Sequence, residues 1–303
     1  MNIQWYPGHM TKARRAMKED MKLIDLVIEL VDARVPFSSR NPDIDELAAG
    51  KARMVLLNKA DLADEAKNAA WAALFESRGI HVAKIDARNK GSLKQVQAVI
   101  QEACKEKIER DRRRGILNRP IRTMVVGIPN VGKSTFINSF AGKACAKTGN
   151  KPGVTKGNQW IRLNKTLELL DTPGILWPRF EDQTVGLHLA LIGSINDQIL
   201  NREELAWELI GLLEQIYPGV LTERYGDAAE GETEDNSAWK ELSKEEQNLK
   251  ASRMLERIAK NRACLMKGGE LDLARASALL LDEFRSGKLG KLSLEQAQDY
   301  TDI

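Results

Sequence analysis

Several sequence features are scarce or missing in this chain, and each absence excludes a class of protein. Its 303 residues hold only three cysteines, Cys104, Cys145 and Cys264, which lie far apart. We therefore expect neither a disulfide framework nor a cysteine metal site. No run of about 18 apolar residues is present, which argues against a transmembrane helix. The first residues lack a basic stretch followed by an apolar core, so no secretory signal is expected. These absences predict a cytoplasmic protein.

Charge is plentiful but unevenly spread. Charged residues make up 29% of the chain, as in soluble globular proteins, and the net charge is only +3. Residues 105–122 nevertheless hold eight Lys or Arg against three acids, and a second basic cluster lies within residues 12–22. Local basic clusters on a nearly neutral chain favour a polyanionic partner. From charge alone, a solvated helix face accounts for them equally well.

Short apolar runs alternate with amphipathic stretches in the first 200 residues. Helical patterns such as Ala63–Arg78 and Leu93–Arg112 separate the runs, and Ile161–Leu163 is a candidate antiparallel edge strand. Alternation of this kind predicts a parallel sheet with helices on both faces. The strand candidates are Leu23–Val31, Arg53–Leu57, His81–Ile85, Thr123–Val126 and Leu167–Leu170.

The pattern changes after about Asn201, where strand-like runs cease and helical spacing continues. We therefore predict two domains. The first covers residues 1–200 and includes a basic segment at 1–22, and the second is a small all-helical domain at 201–303. Its helix candidates are Glu203–Ile216, Lys244–Leu265, Leu271–Phe284 and Ser293–Tyr300.

Residues 127–134 fit the phosphate-loop pattern G-x-x-x-x-G-K-[ST]. An apolar strand precedes them and a helix-like segment follows, which is the context that this motif requires. The glycines allow backbone N–H groups to surround phosphates at a helix N-terminus. Lys133 is predicted to neutralise the β- and γ-phosphates, and the Ser134 hydroxyl to bind Mg²⁺. The candidate contacts are Asn130, Val131, Gly132, Lys133, Ser134 and Thr135.

A second motif, Asn58-Lys59-Ala60-Asp61, follows the apolar run Met-Val-Leu-Leu. The Asp61 carboxylate can accept two hydrogen bonds from guanine N1–H and N2–H, a pair that adenine cannot supply. We expect the Asn58 amide to contact the base edge and brace the phosphate loop, and the Lys59 stem to lie over the base. Strand ends are where α/β proteins bind ligands. The motif therefore predicts a guanine nucleotide.

Three weaker signals complete the set. Asp171-Thr-Pro-Gly174 follows an apolar run, so Asp171 is predicted to hold Mg²⁺ through water and the Gly174 N–H to contact the γ-phosphate. Thr155 lies between the phosphate loop and Asp171, where a switch threonine that completes the Mg²⁺ shell belongs. Asp86 and Ala87 end the third strand, where a backbone amide can reach guanine O6.

The order of these motifs is unusual, because the base-recognition motifs precede the phosphate loop. Joining the usual ends of a Ras-like domain, and cutting it before the base-recognition strand, gives this order without changing spatial neighbours. The predicted fold class is therefore α/β. It consists of a circularly permuted Ras-like P-loop GTPase domain with a mostly parallel sheet, followed by a small all-helical domain.

The permuted motifs, the opening Gln-Trp-Tyr-Pro-Gly-His-Met at 4–10 and Asp-Ala-Arg-Val-Pro at 32–36 resemble the circularly permuted GTPases of ribosome assembly over the whole chain. The resemblance implies an Mg²⁺-dependent enzyme that hydrolyses GTP to GDP and phosphate. It implies a switch stimulated by the large ribosomal subunit, which binds the immature subunit with GTP and leaves after hydrolysis. It also implies rRNA contacts, for which the basic helix candidate Lys105–Arg114 is suited. A monomer is expected.

The catalytic step needs a group that the switch motif lacks. Many GTPases orient water with a Gln after Asp-x-x-Gly, whereas Ile175 stands there in this chain. His9, in a turn similar to the opening motif of that family, is our candidate beside Lys133. Its alternatives are helix capping or rRNA contact, and His188 is a second candidate in a setting typical of helix packing. Asn130 matches a position that helps to bind K⁺ in related GTPases.

Three other functions stay open at this point. The chain could be a non-catalytic rRNA-binding module with a vestigial pocket, although the intact Lys133, Ser134 and Asp171 argue against it. It could also be a GTPase that acts on tRNA or on the small subunit. Attachment to a membrane surface through residues 12–22 is disfavoured by Glu19 and Asp20 and by the lack of an apolar aromatic face.

Overall fold

The computed structural model describes residues 15, 17–117, 119–142, 159–172, 182–226 and 239–300. Six strands within these ranges form one sheet in the order β3-β2-β1-β4-β6-β5. All neighbours in it run parallel except β5 and β6, which are antiparallel. The strands are β1 Leu26–Asp32, β2 Ala52–Asn58, β3 His81–Ile85, β4 Ile121–Gly127, β5 Gln159–Arg162 and β6 Leu167–Asp171.

All six predicted strands are present, with shifts at their ends. The first prediction, Leu23–Val31, begins too early, because Met21–Leu23 forms a 3₁₀ turn that buries Met21. Every residue of β1 is buried, as expected for a central strand covered on both faces. That strand includes Glu29, whose carboxylate accepts the Asn41 N–H at 2.9 Å and pairs with nearby arginines.

The α-helices lie between the strands in the first part of the chain and follow one another in the second. Their bounds are α1 Asp43–Leu47, α2 Glu65–Ser77, α3 Lys94–Ala103, α4 Lys105–Arg113, α5 Lys133–Ala141, α6 Gln183–Leu191, α7 Arg202–Ile216, α8 Val220–Tyr225, α9 Lys244–Asn261 and α10 Leu273–Arg285. The prediction of one helix over Leu93–Arg112 is wrong, because the chain leaves helical geometry at Cys104 and starts again as α4. Burial raises the pKa of the Cys104 thiol to about 11.

Side-chain caps explain where the helices of the second part begin. Asn201 accepts hydrogen bonds from two backbone N–H groups of α7. Ser243 and Glu246 form a capping box at the start of α9, and Asp272 accepts the Arg275 N–H at the start of α10. Such caps satisfy donors that a helix leaves unpaired in its first turn. The predictions for α7, α9 and α10 are confirmed to within a few residues.

The fourth predicted helix, Ser293–Tyr300, is wrong. Only a 3₁₀ turn at Ala297–Tyr300 forms there. The backbone before that turn pairs with the α/β part of the chain instead, since the Leu294 N–H donates to the Arg34 carbonyl at 2.8 Å. Tyr300 also stacks on Phe37, with ring centroids 4.2 Å apart. The end of the described chain therefore folds back onto the sheet.

One apolar cluster runs from the sheet into the C-terminal helices, and includes Leu30 and Val126 as well as Leu209, Leu255 and Leu280. A smaller cluster fills the space between α2 and the sheet. Among the helices that the structure describes, none has both the length and the apolar character required to cross a bilayer.

Candidate nucleotide-binding site

The predicted motifs meet at one edge of the sheet. Asp32 ends β1 opposite Asn58, which ends β2, and Asn58 lies opposite Ile85 at the end of β3. Gly127 ends β4, and Asp171 ends β6. Because these strands are parallel, their carboxyl ends face the same side, which is where ligands bind in open α/β sheets.

The phosphate loop has the backbone geometry that its glycines permit. Gly132 has φ of +97°, in the left-handed region, and α5 begins at the next residue. A Cβ at Gly132 would collide with the Asn58 side chain. Asn130 also has positive φ, at 60°, which asparagine tolerates better than most residues. The first N–H groups of α5 are therefore positioned at a helix N-terminus that favours an anion.

Asn58 joins three loops of the site. Its Nδ2 donates to the Val131 carbonyl of the phosphate loop at 2.7 Å, as predicted for a brace. Its Oδ1 accepts the backbone N–H of Ala87 at 3.0 Å. That N–H was our candidate for guanine O6, and in this structure it is bonded to Asn58 instead. Its contact with guanine stays a prediction.

The Lys59 ammonium is bonded to the end of β1 and to the phosphate loop. Its Nζ donates to Asp32 Oδ2 at 2.8 Å and to the Asn130 carbonyl at 3.2 Å. Burial lowers the pKa of Lys59, and Asp32 opposes that effect. Asp32 also receives two hydrogen bonds of 2.8 Å from Arg34. In the sequence, Asp32 and Arg34 stand out only through the family resemblance; the further signal is an acid at the end of a buried and mostly apolar strand.

Asp32 is ionised in the folded chain despite complete burial. Burial alone raises the pKa of a carboxyl, but the charges of Arg34 and Lys59 outweigh it and hold the pKa of Asp32 well below its usual range. An acid with a lowered folded pKa stabilises the fold above its unfolded pKa, and that contribution is lost as pH falls through the folded value.

We therefore expect Asp32→Asn to lower the free energy of unfolding by about 3–5 kcal/mol at pH 7, because it leaves a buried guanidinium without its partner. The difference between the two proteins should narrow as pH falls below about 4, the pKa of an aspartate in an unfolded chain. Urea unfolding at pH 7 and at pH 3 measures both values. A difference that is equal at the two pH values would contradict this explanation.

Asp61 offers a free acceptor. Its Oδ2 accepts a hydrogen bond from Arg88 Nη2 at 2.8 Å. Its Oδ1 is shielded from solvent and has no hydrogen-bond partner among the described residues. Arg88 is anchored in turn by Asp86, whose Oδ1 accepts from its Nε at 3.1 Å. A guanine base supplies the N–H donors that Asp61 lacks. Arg88 was not among our predicted residues, although it follows Ala87 directly.

The other end of the site pairs Lys133 with Asp171. Both residues are buried, and Lys133 Nζ lies 3.9 Å from Asp171 Oδ1, too far for a hydrogen bond. Burial lowers the pKa of Lys133 and raises the pKa of Asp171, and each effect is reduced by the other residue's charge. Both charges are thus poorly compensated without a ligand. Phosphate oxygens would pair with the ammonium, and a cation with the carboxylate.

The residues available here fit a magnesium ion that is bound mainly by substrate phosphates. Asp171 Oδ1 is buried without a hydrogen-bond partner in the described part of the chain. Ser134 is the second residue of α5, directly after Lys133. Within the same ranges no three His, Cys, Asp or Glu residues cluster as a metal cage. Mg²⁺ is usually held by few protein oxygens plus phosphates and water, so this sparse set suits it.

Comparison with known proteins decides the family. The description "50S ribosome-binding GTPase" belongs to a family model that matches residues 122–212. The ribosome biogenesis GTPase A of Bacillus cereus is 47% identical to this chain over 300 residues, which cover 99% of the chain and 96% of that protein. This chain belongs to the ribosome biogenesis GTPase A family.

Solved structures agree with that assignment. The crystal structure of GNP-bound YlqF from T. maritima has a TM-score of 0.60 and 26% identity, and covers 95% of this chain and 99% of that one. A GDP-bound YlqF structure has a TM-score of 0.63 at the same identity, with 94% and 100% covered. The predicted P-loop GTPase fold with a helical C-terminal part is confirmed. As a member of this family of GTPases, the chain hydrolyses GTP.

Several predicted residues of this GTPase lie outside the described ranges, namely His9, Thr155 and Gly174. Their predicted roles stay predictions. Asn130 is described, and its Nδ2 donates to the Gly193 carbonyl at 2.7 Å. A potassium ion at this position would have to use the other amide atom, Oδ1.

The second histidine candidate, His188, is buried in packing contacts between distant parts of the chain. His188 lies on α6 and is buried, with Nδ1 2.9 Å from Glu295 Oε1 and 3.1 Å from Ser38 Oγ. Glu295 also accepts the backbone N–H groups of Phe37 and Ser38. These contacts fasten the end of the described chain to α6 and to the segment after β1. They favour the packing role that the Leu-His-Leu sequence indicated.

Proposed function

We propose that this chain is an assembly factor for the large ribosomal subunit, which binds the immature subunit with GTP and leaves after hydrolysis. The carrying observation is the full-length similarity to proteins named ribosome biogenesis GTPase A, combined with a family description that specifies the 50S subunit. An Asp61 oxygen without a hydrogen-bond partner among the described residues, and a poorly compensated Lys133 charge, support a working nucleotide switch rather than a vestigial pocket.

The helix α4 supplies the surface that we propose for rRNA. Its inward side carries Lys107, which is paired with Asp111 at 2.6 Å and is half-buried. The opposite side is exposed and basic, and the Arg113 side chain is 80% exposed although it lies 3.6 Å from Glu109. Exposed arginines contact phosphates without needing a particular base sequence. The exposed basic residues of α4 and of the position after it are Lys105, Arg110, Arg112, Arg113 and Arg114.

The proposed hydrolysis is an in-line displacement. Water attacks the γ-phosphorus, the bond to the bridging oxygen breaks, and GDP and phosphate leave. Lys133 and the N–H groups of α5 bind the β- and γ-phosphates, and the Gly174 N–H contacts the γ-phosphate. His9 orients the water and receives its proton. Bound Mg²⁺ would neutralise charge that develops on the phosphate oxygens, with Ser134, Thr155 and Asp171 as its protein contacts, and K⁺ at Asn130 would add to this.

We also propose the organisation that this mechanism needs. The base-recognition strands precede the phosphate loop, which supports a circular permutation of the GTPase domain at residues 1–200, with a basic segment at 1–22. The proposed switch segment, residues 175–184, is continued by α6 and then by the helical domain at 201–303, so that nucleotide state can reorient that domain. The protein works as a cytoplasmic monomer without membrane attachment.

The experiment that tests this function measures GTP hydrolysis with immature large subunits, mature large subunits, small subunits or tRNA, each in potassium and in sodium buffer. We expect stimulation by large subunits and a higher rate in potassium. Stimulation by small subunits or tRNA alone would replace the proposed target. Equal rates in the two buffers would exclude the role of potassium.

The same assay with His9→Ala tests the catalytic step. General acid–base groups contribute about 10²–10⁴-fold, so we expect the stimulated rate to fall by about that factor with subunit binding retained. His81→Ala is the matched control, because His81 begins β3, at the amino end of the strand and therefore away from the site. Stimulation that survives in His9→Ala would leave His9 a structural or rRNA-contacting residue.

A further inference from the structure

The base-recognition loop is supported from outside by the end of the described chain. We call residues 58–64 the base loop and residues 284–295 the C-terminal strap. The Leu292 N–H of the strap donates to the Leu62 carbonyl at 3.1 Å. The Asp64 N–H donates to Ser293 Oγ, also at 3.1 Å. A Cβ at Gly287 would lie 2.7 Å from Leu62 Cδ2, so the two segments are in close contact.

A second connection passes through Arg34. Its side chain is 1% exposed and donates through Nη1 to the Phe284 carbonyl at 3.4 Å and to the Arg285 carbonyl at 3.2 Å. These carbonyls belong to the last residues of α10, where a helix presents partial negative charge. The guanidinium also lies over the Phe284 ring, 5.3 Å from its centroid.

The other side of Arg34 faces the nucleotide site. Its Nε and Nη2 bind both oxygens of Asp32, and Asp32 Oδ2 holds the Lys59 ammonium. Lys59 is the second residue of the base loop, and Asp61 follows two residues later. A continuous series of buried and partly buried polar contacts therefore runs from the end of α10 to the base loop.

The base loop has little support of its own. Its regular structure is a single 3₁₀ turn at Ala60–Leu62, with a short bond from the Leu62 N–H to the Lys59 carbonyl at 2.9 Å. Lys59 has positive φ, at 58°, which costs free energy for a residue with a Cβ. Contacts from elsewhere must hold the carboxylate of Asp61 within a few tenths of an ångström for paired hydrogen bonds. Arg88 holds Asp61 Oδ2 directly, whereas the strap holds the backbone at Leu62 and Asp64, and Arg34 acts on Lys59 through Asp32.

We propose that the C-terminal strap positions the base loop for guanine recognition. Arg34 is a positioning residue in this arrangement, because it connects the end of α10 through Asp32 to Lys59 of the base loop. Release of the strap then lowers affinity for guanine nucleotides, and does so through the base rather than through the phosphates. The inference rests on the guanine site proposed above, and it makes the helical part of the chain a determinant of nucleotide affinity.

The test compares dissociation constants of GDP and inosine diphosphate, measured by displacement of a fluorescent GDP. Inosine diphosphate lacks the 2-amino group and makes only one of the two hydrogen bonds to Asp61. Arg34→Lys keeps a positive charge beside Asp32. A lysine ammonium cannot, however, bind both Asp32 oxygens and the α10 carbonyls as the planar guanidinium does. We expect GDP to bind about tenfold more weakly to it, and the preference for GDP over inosine diphosphate to fall at least about threefold.

A second variant and a matched control separate an effect of the strap from a general effect of losing an arginine pair. Ser293→Ala removes the partner of the Asp64 N–H, and a smaller change in the same direction is expected even if Arg34→Lys folds poorly. Arg224→Lys is the control, because Arg224 also forms a forked pair, with Glu283 of α10 at 2.9 and 3.0 Å, but within the helical part. It should bind both nucleotides like the original protein.

Two results would overturn the proposal. One is unchanged GDP affinity in folded Ser293→Ala and Arg34→Lys. The other is an equal loss of affinity for GDP and inosine diphosphate, since that would indicate general loosening of the fold. If the original protein itself does not prefer GDP to inosine diphosphate, the guanine site rather than the strap is wrong.

Discussion

Replacing Asp61 by asparagine should change the preferred nucleotide from GTP to xanthosine triphosphate. In this structure Asp61 Oδ1 is buried without a hydrogen-bond partner in the described ranges, so it can accept a hydrogen bond from a bound base. Guanine supplies N1–H and N2–H, whereas xanthine has an acceptor oxygen in place of the 2-amino group. The amide that replaces the carboxylate would offer one acceptor and one donor, which match xanthine and oppose guanine. We expect GTP to bind about 10²-fold or more weakly and xanthosine triphosphate to bind correspondingly better.

Displacement titrations with both nucleotides measure this change. Asp45→Asn is the matched control, because the Asp45 carboxylate also pairs with an arginine, Arg53 at 2.6 Å, but near the amino end of β2 and therefore away from the site. The control should keep its preference for GTP. Equal weakening of both nucleotides by Asp61→Asn would show that the carboxylate shapes the loop and does not read the base.

The two features of the phosphate loop that the sequence indicates and the structure contains have a local cause. A phosphate loop needs glycine where backbone φ is positive, and Gly132 has φ of +97°. A brace needs an amide at the end of the neighbouring strand, and Asn58 reaches the Val131 carbonyl from there. Strand ends could be placed from apolar runs, because a central strand buried on both faces is apolar almost throughout. Such features are fixed by a few neighbouring residues.

The parts that were missed depend on contacts between residues far apart in the chain. Apolar spacing over Ser293–Tyr300 resembles a helix, but the Leu294 N–H there pairs with the Arg34 carbonyl, and the Leu292 N–H just before it pairs with the Leu62 carbonyl, more than 200 residues earlier. The partner of Arg34 at α10 is equally remote, so the role of that arginine could not be read from its neighbours. The break at Cys104 was missed for another reason, since helical spacing continues across it and only the backbone angles change.

The same distinction applies to charge. That the Lys59 stem lies over the base stays a prediction, and the structure adds that its ammonium is held by Asp32 and the Asn130 carbonyl. The sequence identifies an Asn-Lys-x-Asp motif but does not say which anion lies nearest to the lysine. That anion comes from a different strand, which the register of β1 and β2 brings alongside.

Lys133→Met should strongly weaken nucleotide binding and leave the nucleotide-free protein as stable as before, or more stable by about 1 kcal/mol. Lys133 is buried, and its nearest acid, Asp171, is 3.9 Å away without a hydrogen bond. Burial lowers the pKa of Lys133, which means that the buried ammonium destabilises the fold when no phosphate is bound to it. Methionine keeps most of the volume and carries no charge. Loss of the ammonium from a phosphate site should weaken GTP binding by about 10²-fold or more.

Thermal unfolding without nucleotide and titration with a fluorescent GTP analogue measure the two effects separately. Lys94→Met is the matched control, because Lys94 is likewise the first residue of its helix, α3, but is exposed. It should change stability by less than about 0.5 kcal/mol and leave GTP binding intact. A stability loss above about 1 kcal/mol in Lys133→Met would mean that Asp171 already compensates the ammonium in the free protein. Weaker GTP binding together with unchanged or higher stability would instead show that the Lys133 charge contributes to substrate binding and not to the stability of the fold.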